Sequence, residues 1–234
     1  MAALVAGEMD INGAIETPQY KKTFAFDVFN GAIGTLNACH AAIGMMLGGK
    51  VGNALVVASE VENNRETAPE EVLGIEETGS ALMLDESPDG RTGFGNFVFK
   101  YFTGYVDAQI SHSLIRDGVT LMHSIRDPHL EDYYLQCIQE AVRELLDLEG
   151  LDMSRISVVL PPQISSAFVA RLADALGVCK EKVVDVQAEH DLFTSSLAYS
   201  FQQVFEQQQA KPGDIGLVIS VGSGIQVGCA TYYF

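Results

Sequence analysis

The sequence predicts an α/β fold: a largely parallel sheet covered by helices on both faces and arranged in two similar halves. Three observations carry that prediction. Segments with strand character alternate with segments of helical period, the order that builds crossover connections. Asn53 to Val61 is apolar almost without interruption, as strands shielded on both sides are. Finally, Leu55-Val56-Val57-Ala58-Ser59 followed by Ser80-Ala81-Leu82-Met83-Leu84 is echoed by Leu217-Val218-Ile219-Ser220 followed by Val227-Gly228-Cys229-Ala230-Thr231, the trace a duplication would leave.

The elements follow in order. Phe24 to Phe29 reads as a buried strand running through Asn30-Gly31 into a helix that ends near Gly48-Gly49. Glycine inside a helix costs up to about 1 kcal/mol relative to alanine. The run of Gly31, Ala32, Gly34, Ala38, Ala41, Ala42 and Gly44 therefore implies a helix squeezed between layers. After the strand from Asn53, seven carboxylates (Glu60, Glu62, Glu66, Glu70, Glu71, Glu76, Glu77) face Arg65 alone, and no ligand spacing joins them. They read as a solvated loop or helix face. Ser80 to Leu84 is a further strand and Pro88-Asp89-Gly90 a turn.

A long helix covers Glu131 to Glu149, with Tyr134, Ile138, Val142 and Leu145 as its apolar stripe and Gly150 as its stop. Ile156 to Leu160 is a buried strand leading to Pro161-Pro162. Ile164, Phe168, Leu172 and Leu176 recur every fourth position and mark a helix ending at Gly177. Lys182 to Val186 is a strand, residues 194–209 a helix and Lys211-Pro212-Gly213-Asp214 a turn. Gly216 to Val221 and Gln226 to Phe234 close the chain as strands.

Composition narrows the function. The 234 residues are 47% hydrophobic and 19% charged, with 31 Asp and Glu against 14 Lys and Arg, a net charge of −17. Such a surface repels phosphate backbones and anionic headgroups, so nucleic acid and membrane are not expected partners. No apolar run is long enough to span a bilayer, and the N-terminus lacks the basic start of a signal peptide. Cys39, Cys137, Cys179 and Cys229 are scattered, as reduced thiols of a cytoplasmic protein are, and no metal site or cofactor is expected.

A family resemblance rests on order and spacing. Phe26-Asp27-Val28-Phe29-Asn30-Gly31-Ala32-Ile33-Gly34, a helix, and then Gly49 to Glu60 resemble the nucleophile segment of ketoacyl-acyl-carrier-protein synthase III, of the thiolase superfamily. Pro161-Pro162-Gln163 resembles that family's Pro-His-Gln. Lys211-Pro212-Gly213-Asp214, a strand and Gly222-Ser223-Gly224 resemble its closing glycine loop. The resemblance spans residues 22–234. It implies a thiolase-like fold of two similar halves in five layers, with residues 1–90 as the remaining part of an incomplete N-terminal half and 91–234 as the C-terminal half. The missing strands are expected from a longer product or from a partner chain.

The family's chemistry uses a Cys at a helix N-terminus, a His and an Asn to acylate and condense thioesters, with backbone amides on the oxyanion. In register these positions are Ala32, Pro162 and Asp191, with His190 beside the last and Gly222 and Gly224 as backbone donors. Alanine offers no nucleophile and proline no proton. Cys39 reads as a packed core thiol, and Ser195 and Ser196 lie near the site without a visible base. What the resemblance then implies is a structural or acyl-ligand-binding subunit without condensing activity. The alternative is a synthase III or related acyltransferase present as an active-site variant or fragment. Its expected partners are an acyl-CoA or acyl thioester and a second synthase III-like chain, in a homodimer or heterodimer joined through the region after Asn53. The acidic surface argues against docking of an acidic carrier protein.

Overall fold

The computed structural model describes residues 1–9, 23–88 and 90–234. Along them run α1 (Ala2–Glu8), α2 (Gly34–Leu47), β1 (Asn53–Glu60), β2 (Thr78–Asp85), β3 (Gly93–Tyr101), β4 (Gln109–Arg116), β5 (Val119–Arg126) and α3 (Leu130–Glu149). There follow β6 (Ile156–Leu160), α4 (Ser166–Leu176), α5 (Ser196–Glu206), β7 (Ile215–Gly222) and β8 (Gln226–Tyr233). The helix stops are the expected ones: Gly150 and Gly177 adopt left-handed φ of 64° and 67°. Asp89, the middle of the expected turn, lies outside the described residues.

The central sheet has the order β3-β8-β7-β6. Every residue of β7 is buried, so both faces of the sheet are covered. Leu217, Ile219 and Val221 point to α3 and α4, meeting Ile138, Leu145, Phe168 and Leu172. Val218, with Val158 and Leu160 of β6, points the other way, to Leu36 and Cys39 of α2 and Leu197, Phe201 and Val204 of α5. Beyond α2 and α5 lies the antiparallel pair β1–β2, whose Val56, Leu82 and Leu84 join that second core. The order is thus helix, sheet, helix, sheet: four stacked layers.

Several expectations change. Among the ladders of the described residues, β6–β7 is the parallel one; β7–β8, β3–β8, β1–β2 and β4–β5 are antiparallel. The reason is connection length: three residues join β7 to β8, too few for a crossover, and Gly224 at φ 77° makes the reversal. The two segment pairs that echo each other, β1–β2 and β7–β8, are both antiparallel pairs. Residues 24–29, expected as a buried strand, pair in no ladder among the described residues, and Phe29 is 90% exposed. Strand β1 is covered on one face only, and Leu55, Val57 and Met83 stand exposed on the other. Lys182–Val186 shrinks to one bridge, Val159 to Val183, after a single 3-10 turn. The helix expected at 194–209 begins as a 3-10 turn at Phe193–Ser195, followed by α5 ending at Glu206. Three strands, β3 to β5, occupy residues 93–126, outside every segment the hydropathy pattern singles out.

Candidate active site

The two parallel strands deliver their C-terminal ends to one place, where open α/β sheets characteristically bind ligands. Strand β6 ends at Pro161-Pro162 and β7 at Gly222. The 3-10 turn Gly31–Ile33, which leads into α2, approaches from the other side. Gly31 holds φ at 51°, a conformation that glycine adopts without steric cost. The result is a cavity of about 370 Å³ whose wall includes Ala32, Pro162, Asp191 and Gly222. These four predicted positions, 130 and then 29 residues apart along the first three, are therefore brought together. His190 is exposed and is not part of that wall. Gly224 sits in the β7–β8 turn, where an added Cβ would meet open space, so its contribution is the turn itself.

Each wall residue is held locally. A Cβ on Gly222 would lie 3.5 Å from the Ile33 side chain and 3.8 Å from the Ala32 nitrogen, which places these two backbones side by side. Thr35 Oγ1 donates to the Thr194 carbonyl at 2.7 Å and ties the start of α2 to the segment after Asp191. Next to Pro162, the buried Gln163 donates through Nε2 to the Val184 carbonyl and Ser200 Oγ at 2.9 and 3.0 Å, and its Oε1 accepts from the Val186 amide at 3.1 Å. Its main-chain carbonyl accepts from the Leu192 amide. Ser195, fully buried, accepts from Thr78 Oγ1 and Ser80 Oγ rather than facing the cavity. Ser196 lines the wall.

Asp191 is the chemically distinct member. Burial pushes its carboxyl up to about 6, against the Phe193 amide that donates to Oδ1 at 2.8 Å and the Arg126 charge, both of which lower it; Glu60 adds to the rise. Tyr134, whose hydroxyl donates to Gln109 Oε1 at 3.0 Å, is pushed up to about 12, first by burial and then by Asp191. Arg171 bridges Glu131 at 2.9 Å and also pairs with Asp132. Arg126, Tyr134, Gln109 and Arg171 were not evident as site residues in the sequence, where Tyr134 belonged to a helix stripe. Cys39 is buried in the second core, among Leu36 and the α5 side chains, and burial pushes its thiol up to about 12. Among the described residues no group of three or more His, Cys, Asp or Glu is placed to hold a metal, and no helix is long and apolar enough to cross a membrane.

Residues 146–234 match the family profile described as 3-oxoacyl-[acyl-carrier-protein] synthase III C terminal. The beta-ketoacyl-[acyl-carrier-protein] synthase III of Aquifex aeolicus is 24% identical over 215 residues, covering 89% of this chain and 66% of its own length. A Deinococcus radiodurans synthase III is 26% identical over 245 residues, covering 98% and 67%. The chain is similar to ketoacyl-acyl-carrier-protein synthase III. This synthase III relative spans about two thirds of the length of those proteins. Its structure also superposes on 3-oxoacyl-(acyl carrier protein) synthase III of Pseudomonas aeruginosa with a TM-score of 0.81 at 17% identity, covering 100% of this chain and 71% of that one. An OleA variant of Xanthomonas campestris gives 0.82 at 19%, covering 100% and 70%. These likenesses establish the thiolase-like α/β fold.

Proposed function

We propose that this synthase III relative binds an acyl thioester in the cavity and does not carry out decarboxylative condensation. One observation carries the reading: Ala32 and Pro162, at the positions the resemblance gives to the nucleophile and the histidine, both line the cavity wall. A methyl group and a pyrrolidine ring neither form a thioester nor move a proton. Asp191, at the Asn position, is a titratable group in the same wall, and the Ala32 and Gly222 backbones lie side by side as a place for a carbonyl oxygen. In this reading residues 1–90 are the remaining part of the N-terminal thiolase-like half, residues 91–234 are the C-terminal half, and the protein works in the cytoplasm.

The partner in this reading is a second synthase III-like chain, identical or not. Support comes from Leu55, Val57 and Met83, which leave the outer face of β1–β2 apolar and uncovered. The decisive experiment incubates the purified protein with acyl-CoA and malonyl thioester. Binding by calorimetry, with no condensation product and no mass increase on the intact chain, is the expected result. Turnover or a covalent acyl adduct overturns it. The competing reading is an active-site variant or fragment of a plain synthase III, the protein named in the sequence matches. It predicts that A32C gains an adduct; we expect none, because Pro162 leaves the thiol without its base.

A further inference from the structure

We propose that Glu62 is a positioning residue of the cavity: a single buried carboxylate that fixes the four-residue strap 73–76, which in turn holds Asp191 and Arg126. The acidic stretch that reads as solvated is therefore not uniform. Glu62 is 4% exposed. Its Oε2 accepts from the amides of Leu73, Gly74 and Ile75 at 2.8, 3.0 and 3.4 Å, and its Oε1 accepts from the Asn64 amide at 3.3 Å. A carboxylate that collects converging amides anchors a loop more firmly than neutral acceptors do.

The strap's other edge meets the site. The Asp191 amide donates to the Gly74 carbonyl at 3.2 Å and the Glu76 amide donates to the Asp191 carbonyl at 2.9 Å, so Ile75 and Asp191 form a parallel bridge. Arg126 Nη2 donates to the Leu73 carbonyl at 3.0 Å. One short segment thus grips both of these charged residues of the cavity wall. Asn64, fully buried, secures the same loop to β5 by donating to the Glu71 and Met122 carbonyls and accepting from the Met122 amide. The ligand-binding importance of this arrangement rests on the reading proposed above; the arrangement itself does not.

The test needs no ligand. Carbon-13 NMR of the Asp191 carboxyl is followed against pH in the wild type, E62A and the exposed-loop control E66A. Loosening the strap admits water to the carboxyl, so in E62A its midpoint should fall by about one pH unit or more toward the ordinary aspartate value. The charged groups that act on Asp191 directly, Arg126 and Glu60, and Tyr134, on which Asp191 acts, are unsubstituted in both variants. In the wild type the Gly74 and Ile75 amides should exchange at least about tenfold more slowly than unstructured amides, and E62A should erase that protection. A folded E62A with an unmoved midpoint, an E66A that moves it as far, or unprotected wild-type amides at 74 and 75 each overturn the proposal. If E62A does not fold, the isosteric E62Q replaces it with the same criteria. Acyl-pantetheine binding to the wild type separately tests the function proposed above, so failure there leaves this result readable.

Discussion

Replacing Asp191 by Asn should stabilise the protein at neutral pH, and the gain should depend on pH in a defined way. The folded state holds this carboxyl at about 6, against 3.8 for an unperturbed aspartate, with burial as the main cause. A folded-state value above the unfolded one means that the folded state binds the proton more tightly. Stability from this group is therefore greatest below about pH 4 and is lost as pH rises through about 6. Above that, the ionised carboxylate costs the folded state about 3 kcal/mol, since each pH unit corresponds to roughly 1.4 kcal/mol. The amide that D191N introduces would keep an oxygen to accept from the Phe193 amide and would remove the charge. Urea unfolding of both proteins between pH 4 and pH 7.5 reads the difference. The variant should gain about 2–3 kcal/mol at pH 7 and lose that advantage toward pH 4. A variant that is less stable at pH 7, or a difference that stays flat with pH, refutes the reasoning. The amide is also the side chain the family resemblance expects there, so a stability gain would mean that Asp191 is kept at a cost.

Three further outcomes follow from the geometry. Q163L should lose about 3 kcal/mol or more in urea unfolding, because it orphans the Val186 amide, the Val184 carbonyl and Ser200 at once; a loss below about 1 kcal/mol would show that this network does not hold the Pro162 segment. Native protein should titrate one fast thiol with a disulfide reagent and four when unfolded: Cys179 is exposed, whereas burial pushes Cys39 and Cys229 up to about 12 and Cys137 to about 11. Binding of acyl-CoA should strengthen as ionic strength rises from about 0.01 to about 0.15 M, because salt screens its repulsion from a chain of net charge −17, while binding of uncharged acyl-pantetheine should not change; weakening with salt would reveal a basic docking patch.

How much of this was legible in the sequence varies with the element. Helices α3 and α4 could be read almost to the residue, since their apolar stripes and left-handed glycines at 150 and 177 are local signals. The three strands between 93 and 126 were missed although one signal was present. Asp117-Gly118, with φ of 52° and 81°, is the two-residue turn that joins β4 to β5, between runs of mixed polarity that conceal the strand period. The strand pattern at 24–29 misled because hydropathy records that a segment wants cover, not that a partner strand is present. Similarly, β1 is apolar on both faces, but only one is covered in this chain. At the site, the family resemblance pointed to Ala32, Pro162, Asp191 and Gly222, which line one cavity, whereas Arg126 and Gln109 reach it from the ends of β5 and β4, through a pairing no linear pattern encodes. Glu62 was hidden differently: among seven carboxylates nothing in the sequence marks the one that turns inward.

The costs this fold carries are concentrated around the cavity, and they bear on its use. A buried Gln163 with three side-chain bonds, a buried Glu62 collecting four amides, a glycine held at φ 51° before α2 and a carboxyl at 191 kept from water all serve the same small volume. Apolar packing would hold a scaffold together without them, and buried polar groups are costly unless every partner is supplied. At 32 and 162, the positions the resemblance gives to the reacting groups, stand a methyl group and a pyrrolidine ring, while the polar groups around them have their hydrogen-bond partners. On the proposed reading that division is the point. Chemistry needs a nucleophile and a proton relay at two positions, whereas recognition needs only the wall, its backbone donors and one placed charge. In the function proposed above, such a cavity keeps what binds an acyl thioester and lacks what would capture it covalently.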